Sequence, residues 1–340
     1  MKIYDLRSDT ITKPSLEMRK AMYEAKVGDD VYLEDPTVNK LQEMAAEITG
    51  KKKTLFVSSG TMGNLIPLMI LSKRNKQVLL DSESHIIHYE LGGVSSIAGL
   101  MPLPIKTERG FLTKELIENY LVSKKYDMSS VNMVSIENTH NRYGGSVYPI
   151  NILKDLYSLT KSKNVHLHMD GARIFNASTY SKISVKEIAS NCDSITFCLS
   201  KGLGCPFGSI LCGDEDFINE AYSMRKLLGG GLRQSGIMAA AGIYALENNI
   251  SLLEEDHIKI KKLANAVLES GIGKVNLEEV ETNILIFNTE KKASEIVSKL
   301  EELGIKSIAF DEYRVRFVSH LNISMSDIDE VCKIIKKTKF

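Results

Sequence analysis

A chain of 340 residues, at roughly 150 residues per domain, has room for about two domains. Its hydrophobic fraction of 43% supports a large core without disulfides or metals, and 43 basic residues balance 43 acidic ones. A formal net charge of zero argues against a general electrostatic grip on nucleic acid or on an anionic membrane, and no apolar run approaches the ~20 residues that span a bilayer. The opening segment, Met1 to Asp9, is charged within a few residues and carries no apolar leader stretch, so a cytoplasmic protein is expected. Cys192, Cys198, Cys205, Cys212 and Cys332 form no C-x-x-C pair and read as small apolar side chains kept reduced.

In chain order, Asp35 and Pro36 read as a helix N-cap followed by proline at the first helical position. Val38, Leu41, Ala45 and Ile48 then keep a helical stripe that Gly50 is placed to end. Thr54 to Val57 reads as a short buried strand, from which Gly60 to Asn64 turns into an apolar helix around residues 65–71. Strands at Gln77 to Leu80 and Val131 to Ile136 follow, then a helix from about Ile152 to Ser162 and a strand at Val165 to Asp170. Ser184 with Glu187 reads as a capping box opening the next helix. Asp193 to Leu199 and Gly208 to Cys212 are two further apolar strands. This alternation predicts a mostly parallel, helix-covered sheet. From Leu252 the chain becomes rich in Lys and Glu, with helices expected near 252–269, 292–303 and 325–337 and strands at Asn283 to Phe287 and Arg314 to Val318. The expected division is a large α/β domain over 1–250, including the N-terminal segment, and a smaller α+β domain over 251–340.

Three features carry chemistry. Ser58 to Asn64 places small and hydroxyl residues between a strand and a helix, where backbone N–H groups and the Thr61 hydroxyl can hold a phosphate. It is neither a Walker loop nor a G-x-G-x-x-G fingerprint, and by itself it is equally a tight turn. Lys201, in Ser200-Lys201-Gly202, follows an apolar strand, where desolvation favours the neutral amine that condenses with a carbonyl. Taken alone, such a lysine is more often a surface loop residue. Asp170 ends its own strand and is followed three residues later by Arg173, a candidate grip for a substrate carboxylate. A lysine, an anion and a phosphate cradle are what pyridoxal 5'-phosphate needs from a protein, and the combination is far more specific than its parts. A rival reading takes His166, His168 and Asp170, which alternate on one strand face, as metal ligands. The rival lacks further ligands at a demanding spacing, and strand histidines satisfied by local hydrogen bonds are the ordinary alternative, so no metal is expected.

With those residues assembled, the chain resembles the low-specificity L-threonine aldolases of the beta-eliminating lyase family, in the fold-type I superfamily of pyridoxal-phosphate enzymes. The resemblance is carried by Asp5 to Thr10 with the nearby Lys13 and Pro14, Val27 to Tyr32 with Glu34 to Thr37, Ser59 to Asn64, Ile136 to Asn141, His168 to Arg173, Leu199 to Leu203 and Gly229 to Gln234. It implies an aspartate-aminotransferase-like large domain and a homotetramer, a dimer of dimers with sites at the dimer interfaces. It implies that Lys201 bonds the cofactor, that Asp170 partners its pyridine nitrogen, and that His85 stacks on its ring and takes part in catalysis. Gly60, Thr61 and Ser200 would contact the phosphate, with Arg233 and the nearby Lys226 reaching it. Arg173 also falls among the residues around the cofactor. Ser8, Arg173 and Arg316 would hold the substrate carboxylate, and Tyr32 lies in a segment lining the site, often from a neighbouring subunit. The expected reaction is aldol cleavage of L-threonine and L-allo-threonine to glycine and an aldehyde, with His85 or a water it positions as the base.

One departure stands out. Family members often carry a histidine, associated with the β-hydroxyl pocket, shortly before the strand leading to Glu137 to Asn141, whereas here that stretch reads Tyr126 to Ser130 without one. Both threonine diastereomers are therefore expected to react, allo-threonine preferentially, with His88 and His140 the first candidates for any replacement contact. Competing readings are β-elimination or racemisation of another small amino acid with the same cofactor, or a non-catalytic binding protein. A binder has no need of Lys201.

Overall fold

The structure is a computed structural model that describes residues 2–71, 76–122 and 125–338. Its strands are β1 (Tyr4–Asp5), β2 (Lys53–Val57), β3 (Lys76–Asp81), β4 (Met101–Ile105), β5 (Ser130–Glu137) and β6 (His166–Asp170). They continue as β7 (Ser194–Cys198), β8 (Ser209–Gly213), β9 (Ile284–Asn288), β10 (Ile305–Lys306), β11 (Ile308–Ala309) and β12 (Arg314–Val318). Seven of them form one sheet in the order β2-β8-β7-β6-β5-β3-β4. Its pairs are parallel except that β8 runs against both β2 and β7. Near-continuous apolar runs such as Ile195, Phe197, Ile210 and Leu211 are buried because helices cover both sheet faces.

Local chemistry places the helices as expected. Asp35 accepts from the N–H groups of Thr37 and Val38 at the start of helix Pro36–Thr49, and Gly50 ends it in the left-handed region at φ 66°. Ser184 caps helix Val185–Ala189 through the Glu187 N–H, but Glu187 turns outward to Lys154 at 3.2 Å, so the expected reciprocal box does not close. The closed capping box is at Ser324 and Asp327.

Among the elements that sequence patterns do not announce are one strand and three helices. Strand β4 contains Pro102 and Pro104, which argue against a strand interior and are accommodated because β4 is the sheet edge. Helices Leu16–Tyr23 and Glu215–Leu227 sit between recognised elements, and helix Gly236–Asn248 is too uniformly apolar to show a stripe. Gly242 lets that helix press against its neighbour: a Cβ there would lie 2.9 Å from Leu41 Cδ2.

A separate apolar cluster combines Ile260, Leu263, Phe287, Phe317, Ile328 and Ile335 with Tyr4 and Leu6. The N-terminal strand joins it by parallel pairing of Tyr4 with Ile305, and Val318 N–H donates to Leu6 O at 2.8 Å. That anchoring brings Ser8 and Asp9 beside Arg173. No described helix is long and apolar enough to cross a membrane.

Candidate active site

The carboxyl ends of the parallel strands face β11 and β12 across a cavity of about 380 Å³. Ser8, His85, Tyr89, Asn141, Arg173, Lys201 and Arg316 line it, with Ile308 to Phe310 as an apolar wall. Five of the residues expected at the site, Ser8, His85, Arg173, Lys201 and Arg316, therefore meet in one cavity. Lys201 is half-buried, its carbonyl accepts from the Thr12 hydroxyl at 3.0 Å, and its amine has no ion-pair partner among the described residues.

Asp170 stands at the end of β6. One carboxylate oxygen accepts from Ala172 N–H at 3.0 Å and the other from Asn64 Nδ2 at 2.8 Å. Asn64 is held in turn by His168, whose Nε2 lies 3.3 Å from Asn64 Oδ1. His168 and His166 both approach Ser194 Oγ, at 2.9 and 2.8 Å. Burial pushes His168 down to about 3 and His166 down to about 4, so both rings are neutral at pH 7. The arrangement is a chain of single hydrogen bonds. With both histidines spent on Ser194 and Asn64, the alternating His-x-His-x-Asp strand does not present a metal-ligand set.

The phosphate-cradle segment lies beside this group. Helix Gly60–Ile70 begins at Ser59, whose hydroxyl accepts from Met62 N–H, and the N–H groups of Gly60 and Thr61 have no intrahelical partner. A Cβ at Gly60 would sit 2.8 Å from Cys198 Sγ, so glycine lets the helix start rest on the end of β7, just before Ser200 and Lys201.

Two arginines differ in their pairing. Arg173 donates from Nε and Nη2 to both oxygens of Asp9 at 2.6 Å, a buried bidentate pair. Arg316 is also buried, yet among the described residues its donors reach only Asn141 Oδ1 and Arg7 O, both at 3.1 Å, and its Nε has no partner. Burial, and then the charge of Arg173, lower its affinity for its proton. A guanidinium buried beside an amine without a carboxylate of its own is a site for an external anion.

Burial works against charging Asp9, but the Arg173 guanidinium overrides it and holds the carboxyl at about 2. Because the folded value lies below the usual 3.8, this stabilisation of roughly 2 kcal/mol is present above pH 4 and is lost as the pH falls towards 2. Asp9→Asn is therefore expected to cost about 3–5 kcal/mol near neutrality, since it leaves Arg173 buried without a counter-charge. Urea midpoints of the two proteins should differ at pH 7 and converge between pH 4 and 2. Equal midpoints at pH 7 would remove Asp9 as the anchor of Arg173.

Three other expected residues lie elsewhere. Tyr32 is 70% exposed, Lys226 is exposed, and Arg233 pairs with Asp29 at 3.0 Å. They share one surface, because Asp30 N–H donates to Arg233 O and a buried Arg225–Asp30 pair ties the two segments at 2.7 Å. None lines the cavity of its own chain. The candidates for a replacement hydroxyl contact fare no better. His140 is fully buried against Asp81 at 3.2 Å, and His88 faces Ser82 O at 3.0 Å. Tyr126 to Met128 are exposed and away from the cavity.

Sequence patterns singled out none of Asp9, Asn141, Tyr89 or Glu90, although Asp9 and Asn141 lie in stretches that carry the resemblance, and Asn64 stood out only as the end of the candidate phosphate turn. The only signal for Glu90 was a lone acid in the otherwise uncharged run Ile86 to Gly93.

Residues 5–290 match the model of the beta-eliminating lyase family. The low specificity L-threonine aldolase of Escherichia coli (strain K12) is 40% identical over 329 residues, covering 96% of each chain. The probable low-specificity L-threonine aldolase 2 of Arabidopsis thaliana is 41% identical over 341 residues, 98% of this chain and 96% of its own. In fold, the chain is similar to the threonine aldolase of Leishmania major, with a TM-score of 0.84 at 19% identity over 98% of this chain and 99% of the other. The chain belongs to the beta-eliminating lyase family, among the relatives of the low-specificity L-threonine aldolases.

Proposed function

We propose that the protein is a pyridoxal-phosphate-dependent carbon–carbon lyase that cleaves L-threonine and L-allo-threonine to glycine and acetaldehyde. The observation that carries this reading is the pairing, in one cavity, of the Lys201 amine and the buried Arg316 guanidinium, neither with a carboxylate partner among the described residues. An α-amino acid supplies the missing carboxylate.

The residues present fit the cofactor. Lys201 would bond its aldehyde carbon, and Asp170 would keep its ring nitrogen protonated. The free N–H groups of Gly60 and Thr61, with Ser200, would hold its phosphate. When bound, pyridoxal 5'-phosphate supplies an electron sink for the charge left at Cα when the Cα–Cβ bond breaks. Arg316, and Arg173 held by Asp9, grip the substrate carboxylate and so select the hand of the α-carbon. Ser8 Oγ accepts from Thr10 N–H and Thr10 Oγ1, which leaves its own proton to donate to that carboxylate. His85 takes the β-hydroxyl proton, directly or through a water, as the carbonyl product forms. Tyr89 and Phe310 limit water around the reacting carbons.

The surface bearing Tyr32, Lys226 and Arg233 completes the site from a second copy of the chain, in a homotetramer built as a dimer of dimers. Exposed Leu33 and Leu227 on that surface support such a contact. Five buried, unpaired cysteines support the reducing cytoplasm.

Product analysis tests the reaction. Threonine should yield glycine and acetaldehyde, whereas 2-oxobutanoate with ammonia would mean elimination and D-threonine or D-allo-threonine would mean inversion at the α-carbon. Both L-diastereomers should react, and kcat/KM should favour L-allo-threonine because His85 alone remains on the hydroxyl side. The D-amino acids should be poor substrates. A strong preference for L-threonine would mean that another group holds the hydroxyl, and Tyr89 is then the cavity residue to mutate in place of His88 or His140.

A further inference from the structure

His85 opens a short helix after β3, with its own N–H donating to Glu137 Oε2 at 2.8 Å and its ring tilted at 38° beside Tyr89. The ring Nδ1 lies 2.9 Å from Glu90 Oε1. Glu90 is 6% exposed, and the same oxygen accepts from Asn64 Nδ2 at 3.0 Å. Asn64 therefore spends its two amide hydrogens on two carboxylates, Glu90 and Asp170, while His168 occupies its carbonyl oxygen. One side-chain nitrogen or oxygen from each of His85, Glu90 and Asp170 lies within 4.8 Å of the other two. No hydrogen bond involves His85 Nε2 among the described residues, so that nitrogen is left for the cavity that His85 lines.

We propose that Glu90 is the positioning residue for His85: it accepts the Nδ1 proton, fixes one tautomer, and leaves Nε2 as the basic nitrogen in the cavity. Asn64 makes this arrangement tenable. Two carboxylates so close repel each other, and an amide locked by His168 lies between them as a shared donor. The amide orientation and the histidine tautomer agree with each other. With Asn64 Nδ2 facing the two acids and Oδ1 facing His168, the consistent tautomer has His168 donating from Nε2 to Asn64 Oδ1 and accepting from Ser194 at Nδ1.

Titration supports the geometry. Burial opposes charging His85, but the hydrogen bond to Glu90 and the charge of Asp170 outweigh it and raise the ring above its usual value. Burial, and the neighbouring Asp170, likewise push Glu90 above the ordinary carboxylate range. Groups this close, 2.9 Å apart, are coupled in their protonation. The other charged or titratable groups facing the ring are Glu137, Lys201 and Tyr89.

The test uses holoenzyme labelled with ¹⁵N-histidine, with His85→Asn identifying the resonance, and steady-state kinetics on L-allo-threonine. The unsubstituted protein should show His85 as the Nδ1–H tautomer. Glu90→Gln keeps an acceptor without a charge, so the tautomer should persist while His85 titrates at lower pH and the acidic limb of kcat/KM moves the same way. Glu90→Leu removes the acceptor, so the tautomer preference should vanish. There, kcat should fall by about 10²-fold, with KM changing far less because Arg173 and Arg316 are untouched. If His85 keeps both its tautomer and its titration in Glu90→Gln, the proposal is overturned, whether or not Glu90→Leu folds. The kinetic arm rests on the proposed aldol cleavage, but the resonance arm does not. Failure to cleave threonine with the Nδ1–H tautomer intact would fault that reading and leave the role of Glu90 standing.

Discussion

Lys201→Ala is expected to lose turnover by on the order of 10⁴-fold or more, the scale on which removal of an essential nucleophile registers. The loss should come without unfolding. Among the described residues the Lys201 side chain makes no ion pair, and the local loop is held through backbone groups, with Thr12 Oγ1 and Gly204 N–H both donating to Lys201 O. Borohydride should fix the cofactor irreversibly to the wild-type chain and leave the variant unmodified by mass spectrometry. Circular dichroism and thermal midpoint should be close to those of the parent. Normal turnover in the variant would sink the assignment of Lys201, and with it the reading of the cavity as the cofactor site.

Asp170→Asn should retain bound cofactor yet lose about 10²–10³ in kcat, the scale of removing one preorganised electrostatic partner. An amide cannot hold the ring nitrogen protonated. The substitution also has a structural cost that a glance at size would miss. Both Asp170 oxygens accept, one from Ala172 N–H and one from Asn64 Nδ2, so an asparagine must turn its own NH₂ towards one of these donors. Leaving such a buried donor unmatched costs roughly 1–3 kcal/mol. The visible absorbance of bound cofactor, kcat and the urea midpoint together separate the two effects. Wild-type kcat would mean that Asp170 is not the ring-nitrogen partner. A wild-type midpoint would mean that Asn64 has reoriented, which His168 should prevent.

Local physics determined most of the secondary structure from sequence alone. The expected strand Arg314 to Val318 coincides with β12, and the helix expected over 325–337 with Met325–Lys337, because alternation, caps and terminal glycines act within a few residues. Lys201 and Asp170 stand out in the sequence for the same reason, as polar residues at or just after the ends of apolar strands. Where local rules conflicted with context, the fold decided. The prolines of β4 are harmless only at an edge, and helix Gly236–Asn248 lacks a polar face because Leu41 and Leu199 close over Gly242.

The pairing of charges was decided by tertiary structure alone. Asp9 and Arg173 are 164 residues apart, and Asn64 and Asp170 are 106 apart. No periodicity encodes which buried acid will meet which donor. That follows from the N-terminal strand being zipped to β10, from the start of helix Gly60–Ile70 resting on β7, and from the need of each desolvated polar group for a partner once the strand ends converge. The separation of Tyr32, Lys226 and Arg233 from the cavity has the same origin. Sequence motifs group these residues by resemblance, but where each one lies is decided by how the folded segments pack.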